Sequence, residues 1–374
     1  MASTVLGQSQ ADLSSAISQY PELSSFASLL NSNPGIISSV IPMATKNVTV
    51  LVPSNDAFAK YANTTGSNVT TLGASDLVLI LQYHVMAANM TTQDFNADQG
   101  IVVPTLLKDQ AHNNRTAGAA LKNQYGDDAA QGQLIFAQKA SSAPSKSRVK
   151  KAIVSPQRAP LSGGKAQGAV MLLVDGQWSG GSFQIIDTLL IPPTACSQTV
   201  RSDANLSSLD NALNRTSLWS TVDHLSNITC LGPSANAFKN AGNADSNLSP
   251  AQLSEALLNH TIATPLYSPY LIDGMVIPSM GKMNITVTIQ GDDIWFNDAK
   301  VIQPNVLTNN GLIHVLDKVM TDQAIPNVSR PSSQPTSTVT QTSKPSSTSN
   351  AAPTAVGNAE GGIVALVAAV AMLL

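Results

Sequence analysis

His84 and His260 are the residues of this 374-residue chain best spaced to do chemistry. Leu77, Ile80, Leu81 and His84 stand at i, i+3, i+4 and i+7, and Leu253, Ala256, Leu257 and His260 repeat that spacing. Each set is one helical face closed by a histidine. An imidazole so placed can serve as a general base or a metal ligand. A metal needs more ligands at suitable spacing. The five histidines and two cysteines are scattered, with no HxxxH or CxxC pair. A nucleophile needs a base and an orienting group. No G-x-S-x-G, P-loop or G-x-G-x-x-G is present. Catalytic residues, metal ligands and cofactors are therefore assigned to none, and the chain is read as a non-enzyme. The two histidines read as partly buried groups satisfied by a backbone carbonyl or hydroxyl. Tyr83 lies next to His84 and points about 100° away on the helix. Exposed, it would be a contact residue; buried, it would be packing. Tyr83 and His84 are the candidate interaction pair.

These residues belong to a phrase written twice. "VTVLVPSNDAFAKY" (Val48 to Tyr61) and "ITCLGPSANAFKN" (Ile228 to Asn240) each place an apolar run before Pro-Ser and then Ala-Phe. Pro53 fixes φ and ends a strand. Ser54 can cap the next helical turn, with Asp56 in its first turn. Phe58 and Phe238 return to the core. Pro233 and Ser234 repeat the junction, so the phrase reads as scaffold. Ser249, Pro250 and Gln252 form a capping-box start for the second histidine helix. Each half opens with a pair of amphipathic helices and closes on a strand, "GSFQIIDTLLIPP" and "GLIHVLDKVMTD", which align Asp187 with Asp317. His84 precedes Asp187 by 103 positions, and His260 precedes Asp317 by 57. The first copy therefore carries about 46 extra residues, expected between 109 and 165. The basic core of this insertion, Ser141 to Pro160, reads as a solvated loop, with a contact for anionic glycans or a dibasic cleavage site at Lys150-Lys151 as the other reading.

Composition places the chain outside the cytosol. Charged residues are 11 %, against roughly 25 % in an average soluble domain. Twelve N-x-[ST] sequons, at Asn47, Asn63, Asn68, Asn89, Asn114, Asn205, Asn214, Asn227, Asn247, Asn259, Asn284 and Asn327, supply another way to solvate the surface. A net charge of −3 argues against nucleic acid as a partner. Cys196 and Cys230 fit one disulfide in an oxidising compartment, and two buried free thiols are the alternative. Residues 326–353 are rich in Ser, Thr and Pro and read as an O-glycosylated stalk. Small residues at 350–352, a spacer and the apolar stretch 363–374 have the order of a GPI-anchor signal, with Asn350 as the attachment site. The first 18 residues show no basic or apolar leader pattern, so the expectation is a mature form or a gene model lacking its leader.

The "TVLVPSNDAF" phrase, the Tyr83-His84 pair and "NGLIHVLDKVM" (Asn310 to Met320) resemble the three motifs of fasciclin-like domains. The resemblance runs from about Leu13 to Asp322 in two copies, and the whole layout is similar to fungal and plant fasciclin-like cell-surface proteins. It implies an α+β fold, two tandem domains, each a twisted β-sandwich packed with several α-helices. The expected boundaries are 10–192 and 200–322. The resemblance also implies a surface adhesion or interaction protein that binds matrix, cell-wall polymer or other surface proteins. A binding module for a glycan or small apolar ligand is the alternative. Copy two departs from the pattern with Asn259 in place of the tyrosine, and copy one has Gln184 where copy two has His314.

Overall fold

The run VTVLVP forms strand β1 (Val48–Pro53) in the computed structural model, and all six residues are buried. The structure describes residues 12–41, 47–141, 157–164 and 168–322. A strand buried at every position must be covered on both faces. On one face Val48, Val50 and Val52 meet Phe26, Leu29 and Leu81 of the helical layer. On the other, Leu51 meets Met86, Ile135, Leu161 and Ile186. The β-branched run suits a pleated, doubly covered surface.

The ladder around β1 has seven strands. Its order is β2 (Val85–Met86), β1, β7 (Gly181–Ile186), β6 (Gly168–Trp178), β5 (Arg158–Ser162), β4 (Leu134–Ala137), β3 (Ile101–Pro104). β1 and β7 are parallel; the other pairs are antiparallel. The two ends of the ladder meet, because Leu106 N–H donates to Val85 O (2.9 Å) and Ala87 N–H donates to Pro104 O (2.7 Å). The expected sandwich is thus one sheet curled until its walls face each other, nearly a barrel.

The second copy repeats this strand for strand. Its order is β9 (Thr261–Ile262), β8 (Ile228–Pro233), β14 (Gly311–Leu316), β13 (Ala299–Thr308), β12 (Asp293–Phe296), β11 (Asn284–Gln290), β10 (Val276–Pro278). Met280 N–H donates to Thr261 O (2.8 Å) at its closing point. Each closing strand starts on a glycine for a steric reason. A Cβ at Gly181 would lie 2.1 Å from Val48 O, and one at Gly311 would lie 1.9 Å from Ile228 O.

The Pro-Ser phrase is the strand-to-helix junction it was read to be. Ser54 Oγ accepts from Ala57 N–H (3.3 Å) and Ser234 Oγ from Ala237 N–H (3.1 Å). These caps open the helices Asn55–Thr65 and Ala235–Asn240. Phe238 is buried, while Phe58 packs half-buried on the edge of its core. The capping box at Ser249 and Gln252 opens the helix Pro250–Asn259. The opening helix pairs are Ser24–Ser32 with Ile36–Val40, and Ser207–Arg215 with Trp219–His224.

The insertion corrects the sequence reading. Between equivalent strands the extra residues fall in two places, 105–133 before β4 and 138–157 after it. Most of the second piece, 142–156, lies outside the described residues and includes Lys150-Lys151. The first piece is folded against the second copy. It carries the helix Ala119–Tyr125, and Leu121 and Ala130 are buried with Tyr267, Leu307 and Leu312 of the second copy. The polar backbone of this stretch is satisfied across the seam: Asn114 N–H donates to Asn309 O (2.6 Å), and Asn309 Nδ2 to Ala111 O (3.0 Å). The join between the copies is equally packed. Pro192 and Pro193 are buried, Cys196 already begins the helix Cys196–Ser202, and Gly164 bridges to Leu307 of β13.

Candidate functional site

The histidine pair turns out to be one device used twice. His84 Nδ1 donates to Ile80 O (2.8 Å), and its Nε2 accepts from Leu190 N–H (3.0 Å). His260 Nδ1 donates to Ala256 O (2.8 Å), and its Nε2 accepts from Met320 N–H (2.9 Å). These bonds fix the Nδ1–H tautomer. Each ring closes a helix and ties it to the chain leaving the last strand. Burial lowers both imidazole pKa values, that of His84 to about 4, so both are neutral at ordinary pH.

Tyr83 and His84, the candidate contact pair, are 0 % and 1 % exposed, so neither presents a contact surface. Tyr83 enters the sandwich interior and donates its hydroxyl to Leu134 O (2.9 Å). Burial raises its phenol far above its ordinary range. Asp187 and Asp317 hold strands: Val170 N–H donates to Asp187 Oδ1, and Lys300 N–H to Asp317 Oδ1, both at 2.8 Å. Cys196 and Cys230 are free, buried thiols in one core cluster, which is the alternative to the disulfide. Burial pushes the Cys230 thiol up to about 12 and that of Cys196 well above its ordinary value. A protonated thiol is not the species that exchanges disulfides. Among the described residues no group of three or more His, Cys, Asp or Glu could hold a metal ion.

Eight of the sequon asparagines, at 47, 63, 68, 89, 205, 214, 247 and 284, are exposed. Asn259 is half-buried, as are Asn114 and Asn227 at the seam, where Asn227 Nδ2 donates to Thr116 Oγ1 (2.6 Å). Asn327, Asn350, the stalk and the apolar stretch lie outside the described residues.

Nothing in the order of residues announces the cleft at the seam. It is an open space of about 290 Å³ with one wall from each domain. The first wall carries Asp98, Gln99, Phe136, Gln138 and Lys139, and the second Ser268, Asp292, Ile294 and Val301. Gln99 ties the walls together: its Nε2 donates to Gly291 O (3.2 Å), and its carbonyl accepts from Ser268 Oγ (3.0 Å). Lys139 pairs with Asp98. Behind the seam, Arg115 is buried and has no carboxylate partner among the described residues. Its Nη2 donates to the Ala130 and Gly132 carbonyls, while Nε and Nη1 have no partner among the described residues. The cleft residues were illegible because Asp98, Gln99, Gln138 and Lys139 lie far along the chain from Ser268, Asp292 and Val301.

The fasciclin domain model matches this chain twice, over residues 21–135 and 204–322. The chain belongs to the fasciclin domain family. It is 28 % identical over 329 residues to a fasciclin-like arabinogalactan protein of Arthroderma benhamiae, covering 84 % of this chain and 69 % of that protein. It is 24 % identical over 316 residues to the fasciclin-like arabinogalactan protein elcF of Phaeosphaeria nodorum, covering 82 % and 88 %. A solved FAS1 domain pair from the insect cell adhesion molecule Fasciclin I aligns at 17 % identity and a TM-score of 0.36, over 81 % of this chain and 98 % of that one.

Proposed function

We propose that this is a cell-surface adhesion or interaction protein, lipid-anchored and glycosylated, that contacts matrix, cell-wall polymer or other surface proteins. The observation that supports it best is the joining of two fasciclin domains by a folded insertion into one unit. The residues with chemical potential, His84, His260, Asp187 and Asp317, are taken up in holding that unit together. Eight exposed sequons on the described surface fit an extracellular life. The Ser/Thr/Pro-rich 326–353 would hold the unit away from the membrane, and 363–374 would direct the anchor to Asn350. Two domains presented together suit weak, multivalent contacts, because linkage raises effective concentration. The relatives' names, which describe arabinogalactan proteins, agree with a glycan-rich setting.

The test is anchor release from intact cells expressing the full gene. A phosphatidylinositol-specific phospholipase is expected to free a heavily glycosylated form into the medium. An unglycosylated protein retained inside the cell would overturn the reading.

A second reading, a binding module for a glycan or small ligand, is favoured by one observation, the 290 Å³ cleft at the seam.

A further inference from the structure

We propose that the seam cleft is a saccharide site that takes one or two rings of a neutral glycan against Gln138, Asp292 and the Lys139–Asp98 pair. This rests on the surface-binding reading and gives it a ligand class. The volume, about 290 Å³, is at the small end of binding clefts. It suits a short piece of a chain whose remainder stays in solvent.

The lining matches the two surfaces of a sugar ring. Phe136, Ile294 and Val301 supply the apolar part of the lining, which the C–H face of a ring can meet at their exposed edges. The same lining carries groups for the belt of hydroxyls, each of which donates and accepts. The Gln138 carboxamide and the Asp292 carboxylate are exposed and have no side-chain hydrogen bond within the described residues. Binding a hydroxyl therefore breaks no internal bond at either group. Lys139 and Asp98 add a donor and an acceptor side by side.

The walls are pre-set. Gln99 reaches Gly291 from its side chain and Ser268 from its carbonyl, so the two sides are fixed before a ligand arrives. Pre-organisation lowers the ordering cost of binding. Charge narrows the class: two carboxylates against one ammonium make the cleft net negative, which disfavours uronate and sulfated sugars. No residue lining the cleft belongs to a sequon, so the chain's own N-glycans are not attached there.

The experiment is calorimetric titration of the full-length glycosylated protein. The probes are neutral tetrasaccharides of glucose, galactose, mannose and N-acetylglucosamine, with a galacturonic acid tetrasaccharide as the charged comparison. At least one neutral probe is expected to bind saturably, and the uronate at least about tenfold more weakly. Gln138→Ala and Asp292→Ala, both at exposed positions, are each expected to weaken binding about three- to tenfold without changing the melting temperature. Silence from every neutral probe overturns the site, and so does an affinity that neither variant changes or a uronate that binds as tightly. Beads coated with the protein and offered to cells separate this from the broader reading. Adhering beads with silent titrations overturn the saccharide site and leave surface binding standing. Variant-sensitive titrations with beads that never adhere keep the site and overturn adhesion.

Discussion

Tyr83 and Asn259 hold the same place in the two domains, one residue before the helix-closing histidine, yet they do different work. Tyr83 crosses the sandwich interior to the carbonyl of Leu134, the first residue after the 105–133 insertion. Asn259 has no insertion to reach, and its Oδ1 accepts instead from Ser279 Oγ (3.3 Å) in the short turn before β11. Gly281 makes room for it, since a Cβ there would lie 2.0 Å from Asn259 Oδ1. The histidine that follows does the same job in both copies. The shared ladder therefore fixes the histidine, while the local loop selects its neighbour.

Gln184 and His314 give the complementary lesson. Both face a strand bulge led by a residue at positive φ, Asp175 (46°) and Asn305 (54°). Gln184 Oε1 accepts from Asp175 N–H (3.0 Å), and its Nε2 donates to Met90 O (3.4 Å). His314 Nδ1 accepts from Asn305 N–H (3.4 Å), and its Nε2 donates to Leu266 O (2.7 Å). The bulge asks for one planar side chain with an acceptor and a donor. Amide and imidazole both qualify.

The sharpest test of the shared ladder is at its glycines. Gly181→Ala and Gly311→Ala should each cost on the order of 4 kcal/mol, because the new Cβ would overlap a backbone carbonyl that cannot move without unpairing β1 or β8. Denaturant unfolding of the two variants measures it. Equal losses would support equivalent strand starts, and a benign substitution in one copy would break the equivalence.

Leu121→Asp attacks what only the first domain has. It places a carboxylate at a 2 %-exposed seam position and should cost about 3 kcal/mol. A single thermal transition is expected to split into two as the domains uncouple, with a larger radius by X-ray scattering. An unsplit transition at unchanged temperature would contradict the clamp.

Acid should act on both domains through their buried histidines. The folded pKa of His84 is about 4 and its ordinary value is 6.5. Between these values the unfolded chain binds the proton and the folded chain does not. Stability is therefore full above about pH 6.5 and falls toward pH 4, by up to about 3 kcal/mol for this group. His314 is lowered to about 4 in the same way. Unfolding curves from pH 7.5 to 4 for wild type and His314→Gln, which copies the first domain, should show a shallower slope in the variant.

Tyr83→Phe is the mildest change. It leaves Leu134 O without its partner and should cost about 1–2 kcal/mol. Because that carbonyl opens the strand after the insertion, hydrogen exchange should quicken in β4 and at the seam. Loss spread evenly over both domains would contradict its local role.

The repeat, the junctions and the closing strands are legible along the chain. Ser54, Ser234 and the Ser249–Gln252 box act within a few residues of themselves, so their chemistry is legible in local order. The apolar histidine helices are legible for the same reason, because helical spacing alone brings Leu77 and Leu81 to one face. Tertiary structure decided the rest. Whether Tyr83 was surface or core depended on a carbonyl 51 positions away. Leu121 packs with the second copy's Tyr267, Leu307 and Leu312, a pairing that composition cannot show. The cleft exists only where the two folded ladders meet, and Gln138 and Asp292 carry no sign of each other in the chain. Short-range hydrogen bonds and periodicity are written in order along the sequence, whereas burial across a seam is set by the packing of whole sheets.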